Sequence, residues 1–177
     1  DDGDRAHVQA LARSADVLIE QFRPGVMDRL ELGYAALSPD NPGLIYCSIT
    51  GYGQTGAKAL KAGHDLNYLA ETGLLGLTRG ADGAPVLPAV LAADIGGGAY
   101  PAVINVLLAL QRRAIAGRGC HLDVSMCDSF VTFGYWGVGA GMAAGHWPRP
   151  GIELTTGGSP RYQIYHCAKG QYLAAAP

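Results

Sequence analysis

The chain has 177 residues, 49% of them hydrophobic and 16% charged, with a formal net charge of −2. That balance excludes a disordered chain and gives no electrostatic reason to expect nucleic-acid binding; the length suffices for one domain with a real core. Cys47, Cys120, Cys127 and Cys167 show neither a CxxC pair nor metal-ligand spacing. They read as reduced, mostly buried thiols of a cytoplasmic protein, with no metal expected. The opening Asp1-Asp2-Gly3-Asp4 is the opposite of the basic start of a secretory signal.

Asp4 to Ala15 places Val8, Leu11 and Ala12 at helical spacing and predicts a surface helix. Ala15 to Phe22 predicts a buried strand, broken by Arg23-Pro24-Gly25. Val26 to Leu32 resumes as a short helix ending at Gly33. Tyr34 to Asp40 reads as a further helical turn, and Leu44 to Thr50 as a second buried strand. Helix and strand alternating at this spacing predict an α/β unit with a parallel sheet. The loop from Gly51 to Gly63 begins where the second strand ends, which is where open α/β sheets hold ligands. His64 to Leu75 predicts a helix, and residues 76–92 are irregular.

Asp94 to Ala116 is strongly helical and is stopped by Gly117-Arg118-Gly119. Cys120 to Met126 alternates as a strand, and a helix is predicted from there to about Gly145. Ser129 to Pro148 contains no Asp, Glu, Lys or Arg, but its glycines point to a helix buried in protein rather than a membrane span. A Pro/Gly-rich loop over 146–161 leads to a predicted hairpin, Arg161–Cys167 and Gln171–Ala176. The chain lacks an initiator Met and stops on an apolar run, which reads as an excerpt from a longer protein, incompetent as an enzyme on its own.

The chemistry concentrates in Gly63-His64-Asp65-Leu66-Asn67-Tyr68 and Ala93-Asp94-Ile95-Gly96-Gly97-Gly98. His64 can exchange a proton near neutral pH, against a purely structural role. A carboxylate at Asp94 can act as nucleophile or proton acceptor, against a helix N-cap role. The glycines after it let a ligand or another backbone approach closely. Asp128 reads most simply as an N-cap, Lys58 and Lys61 as solvated charges, and Tyr68 as a pocket wall or core residue.

Ala15-Asp16-Val17-Leu18-Ile19-Glu20-Gln21-Phe22-Arg23-Pro24-Gly25-Val26-Met27 with Leu32-Gly33-Tyr34 resembles the class III CoA-transferase (CaiB/BaiF) family. Ile49-Thr50-Gly51-Tyr52-Gly53-Gln54-Thr55-Gly56, Gly63-His64-Asp65, Ala93-Asp94, Asp123-Val124-Ser125-Met126-Cys127-Asp128 and Thr156-Gly157-Gly158-Ser159-Pro160 follow in the family's order, over nearly the whole chain. The resemblance implies the Rossmann-like large domain of that fold, incomplete, over 1–145, with a linker and the start of the smaller domain over 146–177. It implies coenzyme A as acyl-CoA substrate, a carboxylic acid co-substrate and an interlocked homodimer. Asp94 matches the family nucleophile and His64 the racemase histidine. Arg29 matches a position at the CoA nucleotide, with Arg23 its neighbour; Gly63, Asp65 and Tyr68 lie beside the pocket. The leading expectation is a CoA-transferase working through an aspartyl intermediate. The alternative is a 2-methylacyl-CoA racemase acting by proton transfer, although Val90 stands where racemases usually carry Asn. A third reading, from a different class, is a non-catalytic acyl-CoA-binding protein.

Overall fold

The computed structural model describes residues 1–80 and 82–176; Ala81, in the stretch read as irregular, and the terminal Pro177 lie outside the described residues. Helix α1 (Asp2–Ala12) starts where the Asp1 carboxylate accepts the Asp4 N–H at 2.9 Å. Strands β1 (Val17–Glu20), β2 (Ile45–Thr50) and β3 (Cys120–Ser125) form a parallel sheet in the order β1-β2-β3. Short helices α2 (Val26–Arg29) and α3 (Tyr34–Leu37) lie within the β1–β2 connection.

β2 is the middle strand, and its residues alternate between two apolar layers. Tyr46 packs with Ala12, Leu32, Leu37 and Leu44 on one face, and its hydroxyl donates to the Leu32 carbonyl at 3.1 Å. Cys47 packs with Ala102 and Val124 on the other. A strand buried on both faces needs a continuous apolar run, which Leu44–Cys47 supplies. β1 is different. It was expected to be buried, but Ile19 is 58% exposed, because β1 is paired on one side only among the described residues.

The predicted helix over Asp94–Ala116 is two helices in series. A π-helical segment, Ala93–Ala99, runs into α5 (Tyr100–Ala116). Pro101 has no N–H to offer the preceding turn, and the residues before it include three glycines, so regular α-geometry is weakly enforced there. The glycines are used for packing. A Cβ on Gly97 would lie 2.2 Å from the Met126 carbonyl oxygen, and one on Gly96 would lie 2.8 Å from the Phe133 ring. The close approach expected of them is that of another backbone, helix α6 (Met126–Phe130). Gly117 ends α5 in the left-handed conformation, φ 69°.

The segment after β3 departs from expectation. Ser125, not Asp128, caps α6: its hydroxyl accepts the Asp128 N–H at 3.3 Å. A 3₁₀ turn (Val131–Gly134) then separates α6 from α7 (Tyr135–Ala144), so the predicted long helix is broken. Nor is it buried, since Tyr135 and Met142 are exposed. Only its glycine side packs, with Gly141 against Pro148 and the His146 carbonyl. Among the described residues, the one helical span long and apolar enough to cross a membrane is instead Ala93–Ala116, by length and composition alone. Its glycines, Ala102 and Ala109 are buried against protein. The hairpin forms as predicted, β4 (Gln163–His166) antiparallel to β5 (Tyr172–Ala175).

Gly97→Ala in the full-length protein should lower stability by roughly 1–3 kcal/mol, the usual penalty for overpacking, visible as a reduced melting temperature. Gly76→Ala, where a Cβ meets nothing within 4 Å, is the matched control. Equal melting temperatures for the two would refute the tight seat of Gly97.

Candidate active site

The site is assembled where the chain leaves β2. The loop from Gly51 to Gly63 returns the chain to His64, and α4 (Asp65–Glu71) begins one residue later. Tyr68 locks this return. Its hydroxyl donates to the Gly63 carbonyl at 2.5 Å, and its ring lies against Gly51 and Gly63, where added Cβ atoms would come within 2.5 and 2.7 Å of it. Tyr52 meets the same ring edge-on at 5.4 Å. Gly63 and Tyr68 therefore fix the loop from behind the site. Burial, and after it the charge of Asp94, pushes the Tyr68 phenol up, so it stays protonated as a donor.

Asp65, expected beside the pocket, turns inward. It is 7% exposed, and its Oδ1 accepts the N–H groups of Ala93 at 2.7 Å and Asp94 at 2.9 Å. Asp94 is thus not the cap of its own helix. The capping position is Ala92, which has no side-chain acceptor, and Asp65 does the work from α4. His64 and Asp94 both line one cleft of about 500 Å³, walled by Leu66, Leu87, Pro88, Ala89, Val90 and Leu91. Neither side chain is engaged in a hydrogen bond among the described residues. The Asp94 carboxyl is raised above its ordinary value by burial and by the negative charge of Asp65, with His64 opposing.

Lys58 and Lys61, read as solvated, both pair with Glu71 and fasten the glycine loop to α4. Hydrogen bonds from the two ammonium groups hold Glu71 down at about 2. Cys127, whose N–H donates to the Gly51 carbonyl at 3.0 Å, is buried, and burial pushes its thiol up to about 11. Arg23 and Arg29 are exposed and lie outside the cleft, in the segment after the carboxyl end of β1. Arg23 edges a separate small recess with Glu20, Ser48, Gln54 and His121. A larger cleft of about 950 Å³ between α7 and the hairpin contains neither Asp94 nor His64. Among the described residues no His, Cys, Asp or Glu cluster has metal-site geometry.

The structure therefore brings His64 and Asp94 to one cleft, bonds Asp65 to the backbone of Asp94, places Gly63 and Tyr68 in the layer behind, and leaves the two arginines apart. The apolar run Val86–Ala93 before Asp94 is visible in the sequence, but its lack of periodicity hid that Leu87–Leu91 line the cleft with His64 and Asp94. Sequence reading also missed the link from Asp65 to Ala93 and Asp94, for which no local pattern exists.

An α/β fold with a histidine and a carboxylate lining one apolar-walled cleft beyond the parallel sheet forms an enzyme-like site. The sequence profile of CoA-transferase family III matches residues 1–177, and the chain belongs to that family. It is 38% identical over 170 residues to the alpha-methylacyl-CoA racemase of Mus musculus, covering 94% of this chain and 44% of that protein. It is 42% identical over 134 residues to the acetyl-CoA:oxalate CoA-transferase of Acetobacter aceti, covering 75% and 34%. A CAIB/BAIF family protein from Brucella suis superposes with a TM-score of 0.85 at 34% identity, over 99% of this chain and 46% of that one. The chain spans less than half the length of these relatives. Both expected chemistries, CoA transfer and racemisation, are represented among them.

The loop fastening gives a direct test. Its contribution is intact above the ordinary glutamate value of 4.5 and fades as pH falls toward about 2. In a carbon-detected NMR titration Glu71 should have its midpoint near that lower value, and the double substitution Lys58→Ala, Lys61→Ala should return it toward 4.5. A midpoint indifferent to the lysines would show that they are solvated after all.

Proposed function

We propose that the full-length protein is an acyl-CoA enzyme in which His64 and Asp94 exchange the proton on the carbon next to a thioester, as in a 2-methylacyl-CoA racemase. The carrying observation is that both residues line one cleft with free side chains and no bond between them. Two proton carriers facing a shared space suit removal of a proton by one and its return by the other to the opposite face. The C–H electron pair passes into the thioester as an enolate and comes back when the second residue delivers its proton, so no other reagent is consumed. The raised Asp94 favours this use, since a carboxyl must hold a proton part of the time to act as an acid. The apolar side chains from Leu87 to Leu91, still largely exposed in this chain, suit an aliphatic acyl chain that would cover them. Of the relatives, the racemase also matches over the larger share of this chain.

CoA transfer is the second reading, supported by the oxalate CoA-transferase relative and by a carboxylate able to attack a thioester. There Asp94 displaces the CoA thiolate to give an anhydride. The thiolate attacks the aspartyl carbonyl of that anhydride, giving an aspartyl thioester and expelling the donor acid as its carboxylate. The acceptor carboxylate then displaces the thiolate to form a second anhydride, and the thiolate attacks its acyl carbonyl, releasing the new acyl-CoA and free Asp94. In either reading Arg29 and Arg23 would meet the phosphates of CoA. The assembly would be a homodimer that completes the cleft, and the four free cysteines fit a cytoplasmic location.

The full-length enzyme, incubated with a 2-methylacyl-CoA in deuterated water, should incorporate deuterium at the α-carbon. His64→Ala and Asp94→Asn should each reduce incorporation by roughly a thousandfold or more, the scale seen on removing one member of a catalytic set. Transfer of CoA to an added acid without α-exchange, surviving in His64→Ala, would replace this reading with the second. For Asp94 the acidic limb of the kcat/KM profile should lie above the ordinary aspartate value of 3.8. A limb at or below that value would contradict a proton-carrying Asp94.

A further inference from the structure

The helix that bears Asp94 is poorly made by its own sequence. Its first seven residues, ADIGGGA, adopt a π-helix, which is wide and intrinsically weak, and the glycines supply little helix propensity. The first N–H groups of any helix need external acceptors, and an acceptor just before the start usually provides one. Here the residue before the start is an alanine. The acceptor comes instead from Asp65, 28 and 29 residues earlier, and one oxygen takes both the Ala93 and the Asp94 N–H. That oxygen belongs to the first residue of α4, next to His64. The start of α4 is in turn held by the Tyr68–Gly63 bond and by the His64 N–H donating to Asn67 Oδ1 at 3.0 Å.

We propose that Asp65 is the positioning residue of this site: its buried carboxylate fixes the backbone of Asp94 relative to His64 and places its charge beside the Asp94 carboxyl. The assignment rests on the catalytic reading of Asp94 and His64 given above. It follows from geometry, because no other contact described joins the amide of Asp94 to the segment carrying His64. Misplacing a reacting group by about 1 Å can cost roughly a hundredfold in rate, so a clamp at the backbone of the reacting residue has catalytic weight. The charge has a separate effect. It disfavours the ionised form of Asp94 and agrees in sign with the upward shift described there.

Two substitutions in the full-length protein separate the roles. Asp65→Asn keeps an oxygen to accept both amides and removes the charge; Asp65→Ala removes both. With Asp65→Asn, the Asp94 carboxyl followed by carbon-detected NMR should titrate at a lower pH than in wild type, toward 3.8, while amide exchange at Ala93 and Asp94 stays within about threefold. With Asp65→Ala, exchange at those two amides should rise roughly tenfold or more. kcat for α-proton exchange should fall about a hundredfold, with KM within about threefold. An Asp94 midpoint unchanged in Asp65→Asn overturns the proposal, as does unchanged exchange at Ala93 and Asp94 in Asp65→Ala. If Asp65→Ala does not fold, the Asp65→Asn titration decides alone. A wild-type enzyme without acyl-CoA turnover would reject the catalytic reading, whereas the exchange and titration data would still decide what Asp65 does.

Discussion

One oxygen atom, Oδ1 of Asp65, joins two stretches of chain that the fold would otherwise only bring near each other. The parallel sheet brings them close: β2 delivers the loop to His64, and β3 leads into the helix on which the glycines of the Asp94 segment rest. Tyr68 and Leu69 of α4 also pack against Ala93, but packing alone does not engage the Asp94 amide. Burying a carboxylate costs free energy unless its charge is hydrogen-bonded, so Asp65 is stable inside only while it holds the two amides. The same requirement makes the link rigid. Loop, helix start and cleft wall then share a single fixed point.

Around that point the site is layered by polarity. His64 and Asp94 face the cleft, with apolar side chains from the irregular segment closing one side. Behind them Tyr68 fills the space that Gly51 and Gly63 leave by lacking a Cβ, and its hydroxyl satisfies the Gly63 carbonyl. Further out, Glu71 and its two lysines fasten the loop where water still reaches the ions, so this pairing sets position more than stability.

Much of the scaffold was legible in the sequence because it is written in local periodicity. The continuous apolar run at the start of Leu44–Thr50 reads as a buried strand, and the alternation of Leu122 and Val124 as a strand packed on one side. The hairpin was marked by its Ala168-Lys169-Gly170 turn. His64 and Asp94 could be picked out from residue type and from the family resemblance, and the fold places both at one cleft. Features that depend on long-range contacts were not legible. The exposure of Ile19 follows from which neighbours β1 has. The displacement of the Asp94 cap to Asp65, and of the α6 cap from Asp128 to Ser125, follows from where each helix actually begins. The break between α6 and α7 had no Pro to announce it, only Gly134 pressed against Leu74.

The buried Cys127 has a bearing on redox chemistry. Its amide holds Gly51 in place, and its thiol is pushed up to about 11. Only a thiolate attacks a disulfide, so at neutral pH this sulfur is almost wholly inert. A protein proposed to handle coenzyme A works amid a reactive thiol and its oxidised disulfides. Keeping the cysteine under the Gly51–Gly63 loop protonated guards that loop against mixed-disulfide formation, which would otherwise wedge a bulky nucleotide against Gly51.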